Sequence, residues 1–369
     1  MNSSSKDPFR YFLGGYLAGL IEGDGSIIVP KTIEIKLVSR TVLIGWAYIF
    51  YEKATGPFVK KYSTNSKNSI TLHPQWVTGF SDGEACFSID ISKVKDHTLG
   101  WKVTPVFSIG IHSKDLVLLQ KIQSFFNGAG KIYFINDYMI YYRIKSIKDL
   151  IKYVIPHFDK YPLLTKKRAD FLLFKQIIDL MTCKKHLTIE GLLEIVSIKA
   201  SLNLGLNENL KNAFPNVIPK VRPIFEVKAI QDPHWIVGFA DAESCFFVEK
   251  SVSSTNKLGY QVRLKFIISQ HSRDVALVNL LKDYLNCGNV ITDSRGLSHL
   301  IIRKYSDIIS CIIPFFAKYP LHSVKSMDYL DLCKASKIID NKAHLTEEGL
   351  KQIDLIRSGM NRGRFPPIN

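Results

Sequence analysis

The sequence predicts an α+β protein built from two similar halves, and three observations lead to this prediction. The stretch from Trp76 to Phe87 returns as Trp235 to Phe246. Each copy predicts a short helix, because each follows a proline, Pro74 or Pro233, which suits the first turn of a helix. After each copy, the spacing of apolar residues predicts a hairpin, a helix, a second hairpin and further helices, the first of which spans about Ile147–Val154 in the first half. This order indicates duplicated half-domains rather than a solenoid of many repeats.

The two halves are offset by a nearly constant number of residues. Glu243 follows Glu84 by 159 residues, and the offset falls to 158 further downstream. The offset predicts half-domains over residues 73–213 and 232–369. Prolines that interrupt the periodic pattern predict a linker over the remaining residues, 214–231.

The N-terminal segment, residues 1–72, differs from both halves. It contains a looser copy of the repeated stretch at Leu17–Gly25, but Asp24 precedes Glu84 by only 60 residues. A complete half needs far more chain than that. We therefore interpret this segment as a remnant with a truncated motif, and we pair Glu84 with Glu243.

Composition and charge restrict the partners. The chain is 46% hydrophobic and 22% charged, as in ordinary globular proteins, and its formal net charge of +16 favours nucleic acid first and an anionic membrane surface second. No uninterrupted apolar run is long enough to span a bilayer, so we predict no membrane partner. The six cysteines form no C-x-x-C pair, which argues against a zinc ribbon. We expect Cys86 and Cys245 to be buried and unpaired, in a reducing compartment.

Small residues four positions apart lie on one face of each predicted motif helix. Gly79 and Gly83 share a face of the first helix, and Gly238 and Ala242 share a face of the second. Small residues at this spacing allow two helix backbones to approach closely. We therefore predict that the two helices pack against each other at the centre of the molecule.

Glu84 and Glu243 directly follow the last small residue of each helix. Parallel packing about a two-fold axis places these carboxylates side by side, at helix C-termini whose dipoles also disfavour negative charge. A hard divalent cation with oxygen ligands resolves the conflict, and the carbonyl groups of Gly83 and Ala242 are further candidate ligands. A metal in this position can activate water and stabilise the leaving oxygen of a phosphodiester.

Polar side chains alternate with apolar ones along the predicted hairpins, which gives each antiparallel sheet one polar face. Lys and Arg can contact phosphates and guanine edges, and Gln and Asn can contact adenine. The alternative is an ordinary solvated sheet face, which the paired carboxylates make less convincing. We predict nucleic-acid contacts from the polar residues of both sheets: Ser88, Asp90, Ser92, Lys93, Lys102, Thr104, Ser108, Glu249, Ser251, Gln261, Arg263, Lys265 and Ser269.

Both motif copies, the repeated Lys-Tyr-Pro-Leu and His-Leu-Thr, and the closing Met-Asn-Arg-Gly-Arg together resemble the LAGLIDADG homing endonucleases, in particular the single-chain, two-motif group encoded within fungal mitochondrial introns. The resemblance covers residues 73–364. It implies two pseudo-symmetric αββαββα half-domains, a central two-helix interface, and two saddle-shaped antiparallel sheets that lie in the DNA major groove. It also implies a mitochondrial monomer that promotes intron mobility by Mg²⁺-dependent double-strand cleavage at a long asymmetric site, leaving short 3′ overhangs.

The resemblance also implies roles for individual residues. The two glutamates take the metal-binding acidic positions, and the residues before them take the carbonyl positions. Lys167 and Lys325 match the basic residues that organise water near the scissile phosphates, and Gln270 matches a polar residue at the end of a sheet strand. The first half has Ile111 at the position of Gln270, which implies that the two cleavage centres are unequal.

The sequence departs from the family pattern at one point and leaves two alternatives open. The last glycine of the motif is replaced by Ala85 and Ser244, although the residue after a metal ligand need not contact the metal. One alternative is an RNA maturase that assists splicing of its host group I intron, with the intron RNA as partner. The other is a DNA-binding remnant without cleavage, and retention of both glutamates and both lysines favours an active endonuclease over it.

Overall fold

The structure is a computed structural model that describes residues 71–97 and 99–364. The motif copy at Leu17–Gly25 lies outside these residues, so the interpretation of residues 1–72 stays a prediction. Within the described part of the chain, no helix has both the length and the apolar character needed to cross a membrane.

The first half begins with the predicted motif helix, which ends at Glu84. Ser113–Asp115 and Lys185–Leu187 form single 3₁₀ turns. The elements are, in order, α1 (Pro74–Glu84), β1 (Ala85–Lys93), β2 (Trp101–His112), α2 (Leu116–Phe125), β3 (Lys131–Phe134), β4 (Met139–Ile144), α3 (Ile155–Lys160), α4 (Lys167–Thr182), α5 (Ile189–Ala200) and α6 (Glu208–Ala213).

The second half repeats the order of α1 to α5 within its described residues, 232–364. Its 3₁₀ turns are Ser272–Asp274 and Ala343–Leu345. The elements are α7 (Pro233–Glu243), β5 (Ser244–Val252), β6 (Tyr260–His271), α8 (Val275–Leu285), β7 (Asn289–Thr292), β8 (Leu297–Ile302), α9 (Ile313–Lys318), α10 (Lys325–Asp340) and α11 (Glu347–Ser358).

Each half contains one four-stranded antiparallel sheet, with strand orders β1-β2-β4-β3 and β5-β6-β8-β7. Alternate side chains of the long strands point into the core, where Phe87 pairs with Phe107 and Phe246 pairs with Phe266. The opposite row of side chains faces outward. The predicted α+β class with two similar halves is confirmed.

The helical stretch before α3 continues further than the sequence predicts. Helix was expected to end at Val154, ahead of Pro156, but Leu150–Val154 forms a π-helical turn and α3 follows without a break. A proline inside a helix lacks an N–H and crowds the carbonyl four residues earlier. Widening the turn by one residue relieves this crowding. The second half does the same at Ile308–Ile312, ahead of Pro314.

The linker is tied to the first half rather than loose. The structure assigns no helix or strand to residues 214–231, and α6 just before them was not predicted. Within this linker the guanidinium of Arg222 forms an ion pair with buried Asp170, with 2.8 Å between Nη1 and Oδ1.

One packing prediction is wrong. Cys86 is exposed and Cys245 is half-buried, and both are unpaired. In the first strand the neighbours Ala85 and Phe87 take the core-facing positions, so the strand alternation turns Cys86 outward.

Candidate active site

The two motif helices, α1 and α7, touch through their backbones. An ideal Cβ built on Gly79 would lie 2.0 Å from the carbonyl oxygen of Trp235, and one built on Gly238 would lie 2.0 Å from the carbonyl oxygen of Trp76. No side chain fits at either position. The predicted close packing of the two helices is therefore confirmed.

Two buried tryptophan–aspartate pairs cross this interface. Trp76 Nε1 donates to Asp241 Oδ2 over 2.9 Å, and Trp235 Nε1 donates to Asp82 Oδ2 over 2.8 Å. Burial raises the pKa of Asp82, and the hydrogen bonds that its carboxylate accepts oppose the rise. Sequence reasoning missed both aspartates, although each lies in its motif copy two residues before the glutamate. Asp241 follows Asp82 by the same offset of 159 residues.

The same aspartates hold the segments that carry the predicted lysines. Asp82 accepts from the backbone N–H groups of Leu164 and Thr165, at 2.9 and 3.0 Å, and from the Thr165 hydroxyl at 2.6 Å. Asp241 makes the equivalent three contacts in the second half, to His322 N, Ser323 N and Ser323 Oγ. The start of α4 and the start of α10 are thereby fixed to the ends of the motif helices.

Both predicted lysines reach the C-terminal end of their own motif helix. Lys167 Nζ donates to the carbonyl oxygens of Gly83, at 2.7 Å, and Ser81, at 3.0 Å. Lys325 Nζ donates to the carbonyl oxygen of Ala242 at 2.7 Å. Burial lowers the pKa of each lysine, while the surrounding carboxylates oppose this effect.

The lysines use the carbonyl groups that the sequence suggested as metal ligands. A carbonyl oxygen has two lone pairs, so Gly83 and Ala242 keep one for another partner. Their role as metal ligands stays a prediction.

The two glutamates meet at the same end of the interface. An ideal Cβ on Gly83 would lie 3.1 Å from Glu243 Oε1, which places the second carboxylate against the first motif helix. Burial and the charge of Glu243 raise the pKa of Glu84 to about 7, against the opposing effect of both lysines. Burial also raises the pKa of Glu243.

This donor set fits a hard divalent cation. Two partly desolvated carboxylates with raised pKa values are costly as neighbouring anions, and their oxygen atoms suit Mg²⁺ or Ca²⁺. Glu84 and Glu243 would hold such an ion, with the carbonyl groups beside them as further oxygen donors, and both roles stay predictions.

A second ionisable cluster lies at the opposite ends of the motif helices and does not have chelating geometry. His73, Asp232 and His234 have donor atoms within 4.8 Å of one another. The rings of His73 and His234 stack at 3.9 Å with an angle of 21° between their planes. The lone pairs of the ring nitrogens lie in the ring planes. Because these planes are stacked and nearly parallel, the lone pairs do not converge on one metal position. Asp232 instead caps α7 by accepting from His234 N at 2.8 Å.

The first sheet places most of its predicted contact residues on one outward face. Strand pairing aligns Asp90 with Thr104 and Ser92 with Lys102, and Ser88 and Ser108 continue the same face. Ser108 is buried, however, and Lys93 belongs to the opposite row, where its Nζ lies 5.4 Å from the ring centroid of Trp101. Ser108 is thus in the outward row but buried, and Lys93 is exposed but in the opposite row, and nucleic-acid contact by this sheet stays a prediction.

The second sheet also places its predicted contact residues in one outward row. Lys265 Nζ forms an ion pair with Glu249 at 2.6 Å, and Arg263 donates to Gln261 at 2.8 Å. The row is the following: Glu249, Ser251, Gln261, Arg263, Lys265 and Ser269. Contact of this row with nucleic acid stays a prediction.

Gln270 lies in the opposite, core-facing row of β6. It pairs with Ser298 across the sheet, and its side-chain oxygen accepts from the backbone N–H of His271 at 2.8 Å. Among the described residues, the hydrogen bonds of Gln270 do not join it to the glutamates or the lysines.

The shorter strands add outward residues that sequence reasoning missed. In the first sheet Arg143 lies over the ring of Tyr141, with 4.7 Å from Cζ to the ring centroid, and pairs with Lys131 on β3. In the second sheet His299 bonds Ser269 at 2.8 Å. The signal was present in the polar and aromatic alternation of β3 and β4, which continues the face of the long strands.

The comparisons with known proteins agree with this geometry. The family model described as LAGLIDADG endonuclease matches residues 77–178 and 236–336. Probable intron-encoded endonuclease 3 of Neurospora crassa is 40% identical over 315 residues, which are 85% of this chain and 58% of the relative. Probable intron-encoded endonuclease 2 of the same organism is 38% identical, over 78% of this chain and 65% of the relative. The chain thus spans about three fifths of the length of these curated relatives.

Solved structures match over most of the described chain. The I-SmaMI LAGLIDADG homing endonuclease bound to cleaved DNA is 43% identical with a TM-score of 0.78, and the match covers 80% of this chain and 98% of that one. The LAGLIDADG meganuclease I-CpaMI bound to uncleaved DNA is 43% identical with a TM-score of 0.75, covering 78% and 99%. With the family model matching more than half of its residues, the chain belongs to the LAGLIDADG endonuclease family.

Proposed function

We propose that the protein is a site-specific DNA homing endonuclease that hydrolyses one phosphodiester bond in each strand of a long asymmetric site. The observation that carries this proposal is the pairing of Glu84 with Glu243 between the buried lysines Lys167 and Lys325. Relatives of the chain are described as intron-encoded endonucleases, and similar structures are bound to DNA, one of them with calcium ions.

The carboxylates and lysines divide the work at this centre. Glu84 and Glu243 would hold the divalent cation, which we propose is Mg²⁺ and which would supply activation of water and stabilisation of the leaving oxygen. Lys167 and Lys325 each keep an ammonium group at the end of a motif helix, where it orients water and offsets charge that develops on the phosphate. Burial lowers the pKa of each lysine, and the neighbouring carboxylates oppose this and favour the charged ammonium form.

The outward faces of the two sheets supply binding to duplex DNA. The net charge of +16 provides attraction to phosphates that does not depend on sequence, and the polar rows provide contacts to base edges. Since the two rows differ, the site they recognise is asymmetric. One chain supplies both halves, so the protein acts as a monomer with internal pseudo-two-fold symmetry.

The type of cleaved end, the role in intron mobility and the location of the protein are proposed by analogy with the family. Cleavage leaves short 3′ overhangs and promotes mobility of the host intron, and the protein acts in the mitochondrion. Relatives include proteins of an ND4 intron and a cox1 intron, which supports this location.

Cleavage of a plasmid that carries the joined exons flanking the coding sequence tests the proposal. With Mg²⁺ the wild type linearises the plasmid, and with EDTA it does not. Glu84→Gln and Glu243→Gln keep the shape of the side chain but remove the charge, and we expect each to lower the cleavage rate by roughly a thousandfold or more.

Glu190→Gln is the matched control, because Glu190 is exposed at the start of α5. Its rate should equal that of the wild type. Equal cleavage by wild type and Glu84→Gln would refute the proposed centre. Sequencing the ends of the linear product measures the overhang directly.

A further inference from the structure

Two aspartates outside the motif helices bind the lysine segment of the opposite half. Asp115 Oδ1 accepts from the backbone N–H of Val324 at 2.8 Å, and Asp274 Oδ1 accepts from the backbone N–H of Lys166 at 2.8 Å. The bonded residues are 209 and 108 positions apart in the chain. In each case the bonded N–H belongs to the residue just before a predicted catalytic lysine.

Neither aspartate caps its own helix with its side chain. Asp115 is the N-cap residue of α2 and Asp274 is the N-cap residue of α8, a position where an aspartate ordinarily accepts from the next turn of its own helix. Here both side chains make no such bond. Their carboxylates turn to the other half instead. Asp274 is 5% exposed, so this arrangement is built into the packing.

These contacts complete the anchoring of each lysine. In the first half Asp82 holds the N–H groups of Leu164 and Thr165, and Asp274 holds the N–H of Lys166. Three consecutive N–H groups directly before α4 are thus fixed by two carboxylates, one from each half. Lys167 follows at once and reaches the carbonyl of its own motif helix.

The second half has the same construction. Asp241 holds the N–H groups of His322 and Ser323, and Asp115 holds the N–H of Val324. The N-terminal N–H groups of a helix have no partners within the helix, so a carboxylate there fixes both its position and its direction. Lys325 is therefore oriented partly by the first half.

We propose that Asp115 and Asp274 are positioning residues that act across the pseudo-two-fold axis, Asp115 on Lys325 and Asp274 on Lys167. The inference rests on the proposed function, because it needs the lysines to act in cleavage. It adds that each aspartate acts on the lysine of the opposite half. Substituting the aspartate of one half therefore slows cleavage at the lysine of the other half, and we call this effect the crossing.

Strand-resolved cleavage tests the crossing. The full chain with Mg²⁺ cleaves the joined-exon duplex, whose two strands carry different 5′ labels, under single-turnover conditions. Lys167→Met and Lys325→Met first establish which strand each lysine serves, as the strand whose nicking slows more. We expect these two variants to shift the ratio of strand rates in opposite directions.

The aspartate variants should then follow the lysine of the other half. Removing a charge-assisted hydrogen bond costs enough for about a tenfold change in rate. We expect Asp115→Ala to slow the Lys325 strand about tenfold and the other strand less than threefold, and Asp274→Ala to do the converse for the Lys167 strand. Asp115→Asn and Asp274→Asn keep an oxygen acceptor at the same place, and should stay within about threefold of wild type on both strands.

Further variants separate positioning from a loss of structure. Asp283→Ala changes an exposed aspartate of α8 and should leave the strand ratio unchanged. Asp115→Glu keeps the charge and moves the acceptor by one methylene, so it should bias the same strand as Asp115→Ala even where the alanine variant does not fold. Melting temperature and binding of uncut duplex in Ca²⁺ establish that each variant is folded.

Each outcome decides between the two proposals. If neither lysine variant shifts the strand ratio, both the lysine role and this inference fail. If the lysine variants are selective but the alanine and glutamate variants slow both strands equally, slow neither, or slow the strand served by the lysine of their own half, the crossing inference alone is overturned.

Discussion

At the helix interface the two halves agree closely. Trp76 donates to Asp241 over 2.9 Å, and its counterpart Trp235 donates to Asp82 over 2.8 Å. In both halves the lysine lies 2.7 Å from the carbonyl oxygen of the residue before the glutamate. The positions, partners and distances repeat although the surrounding sequence has diverged.

On the sheets the halves differ. Arg143 and Tyr141 stack on the outward face of the first sheet, while the equivalent positions of the second carry Ile301 and His299. Under the proposed function, this difference fits what each region would meet in duplex DNA. The two scissile phosphodiesters are chemically alike and related by a two-fold axis, whereas the base edges on either side are not. Uniform chemistry at the centre and divergent chemistry on the sheets fit that substrate.

The largest expected effect is a loss of stability when the close contact between the two motif helices is disrupted. Gly79→Ala and Gly238→Ala each place a Cβ 2.0 Å from a backbone oxygen of the other helix, so the helices must separate. We expect a loss of roughly 3 kcal/mol or more in the free energy of unfolding for each variant, measured by urea denaturation. Gly359→Ala is the control, since its Cβ would meet its nearest atom at 3.7 Å. A stable Gly79→Ala variant would contradict the close contact.

The next effect is a pH dependence at the shared centre. The pKa of Glu84 rises from 4.5 to about 7 on folding, so the folded state holds more protons than the unfolded state between these values. Stability without metal should therefore fall as the pH rises through this window, by up to roughly 3 kcal/mol, and Glu84→Gln should remove that part of the change.

Melting temperatures of the wild type and of Glu84→Gln, measured in EDTA at pH 5 and pH 8, test this dependence. Mg²⁺ should stabilise the wild type more at pH 8 than at pH 5, because the metal competes with the proton for the carboxylates. An identical pH profile for wild type and Glu84→Gln would contradict the raised pKa.

A smaller effect sharpens the difference between the sheets. Arg143→Ala and Arg263→Ala each remove an outward guanidinium, one from either sheet. We expect each to weaken binding by roughly 1–3 kcal/mol and to relax specificity at a different half of the site. Binding in Ca²⁺ at fixed salt, to duplexes with single base substitutions, locates the change. Relaxed specificity in the same half for both variants would contradict a separate role for each sheet.

The smallest expected effect is on the rate of strand nicking when Gln270 is replaced, at a core-facing position that is isoleucine in the first half. Gln270→Ile gives the second half the residue that Ile111 provides in the first. The side chain of Gln270 accepts only a local backbone N–H in the described structure, so we expect less than a tenfold change in nicking of either strand. A larger loss would show that Gln270 acts on the reaction. Ile111→Gln provides the reciprocal variant.

The sequence was sufficient for most helices and strands, α6 being an exception, and for the pairing of the glutamates. Period-two and helical patterns located the strands and helices, and small residues at a spacing of four identified the helix faces that pack together. The contacts of Asp82 and Asp115 could not be found in this way, because their partners lie 153 and 209 positions away and are indole or backbone N–H groups. Local pattern carries no signal for a carboxylate that bonds a distant backbone.

The exceptions within the fold also have physical causes. The helix through Pro156 was expected to stop, since proline ordinarily ends a helix, but a π turn accommodates it. Lys93 was assigned to the polar face because it is charged, whereas strand parity places it in the opposite row. Residue type alone does not determine which face of the sheet the last residue of a strand occupies.

The face of α1 has one further consequence. It carries a glycine, Gly79, and both partners of the crossed pair, Trp76 as donor and Asp82 as acceptor, and α7 carries the same set in the same order. Such a surface is complementary to a copy of itself, as in an isologous dimer. A single half assembled as a two-fold homodimer on a palindrome is therefore a sufficient ancestor for the two halves, through gene duplication, joining by a linker and divergence of the sheets.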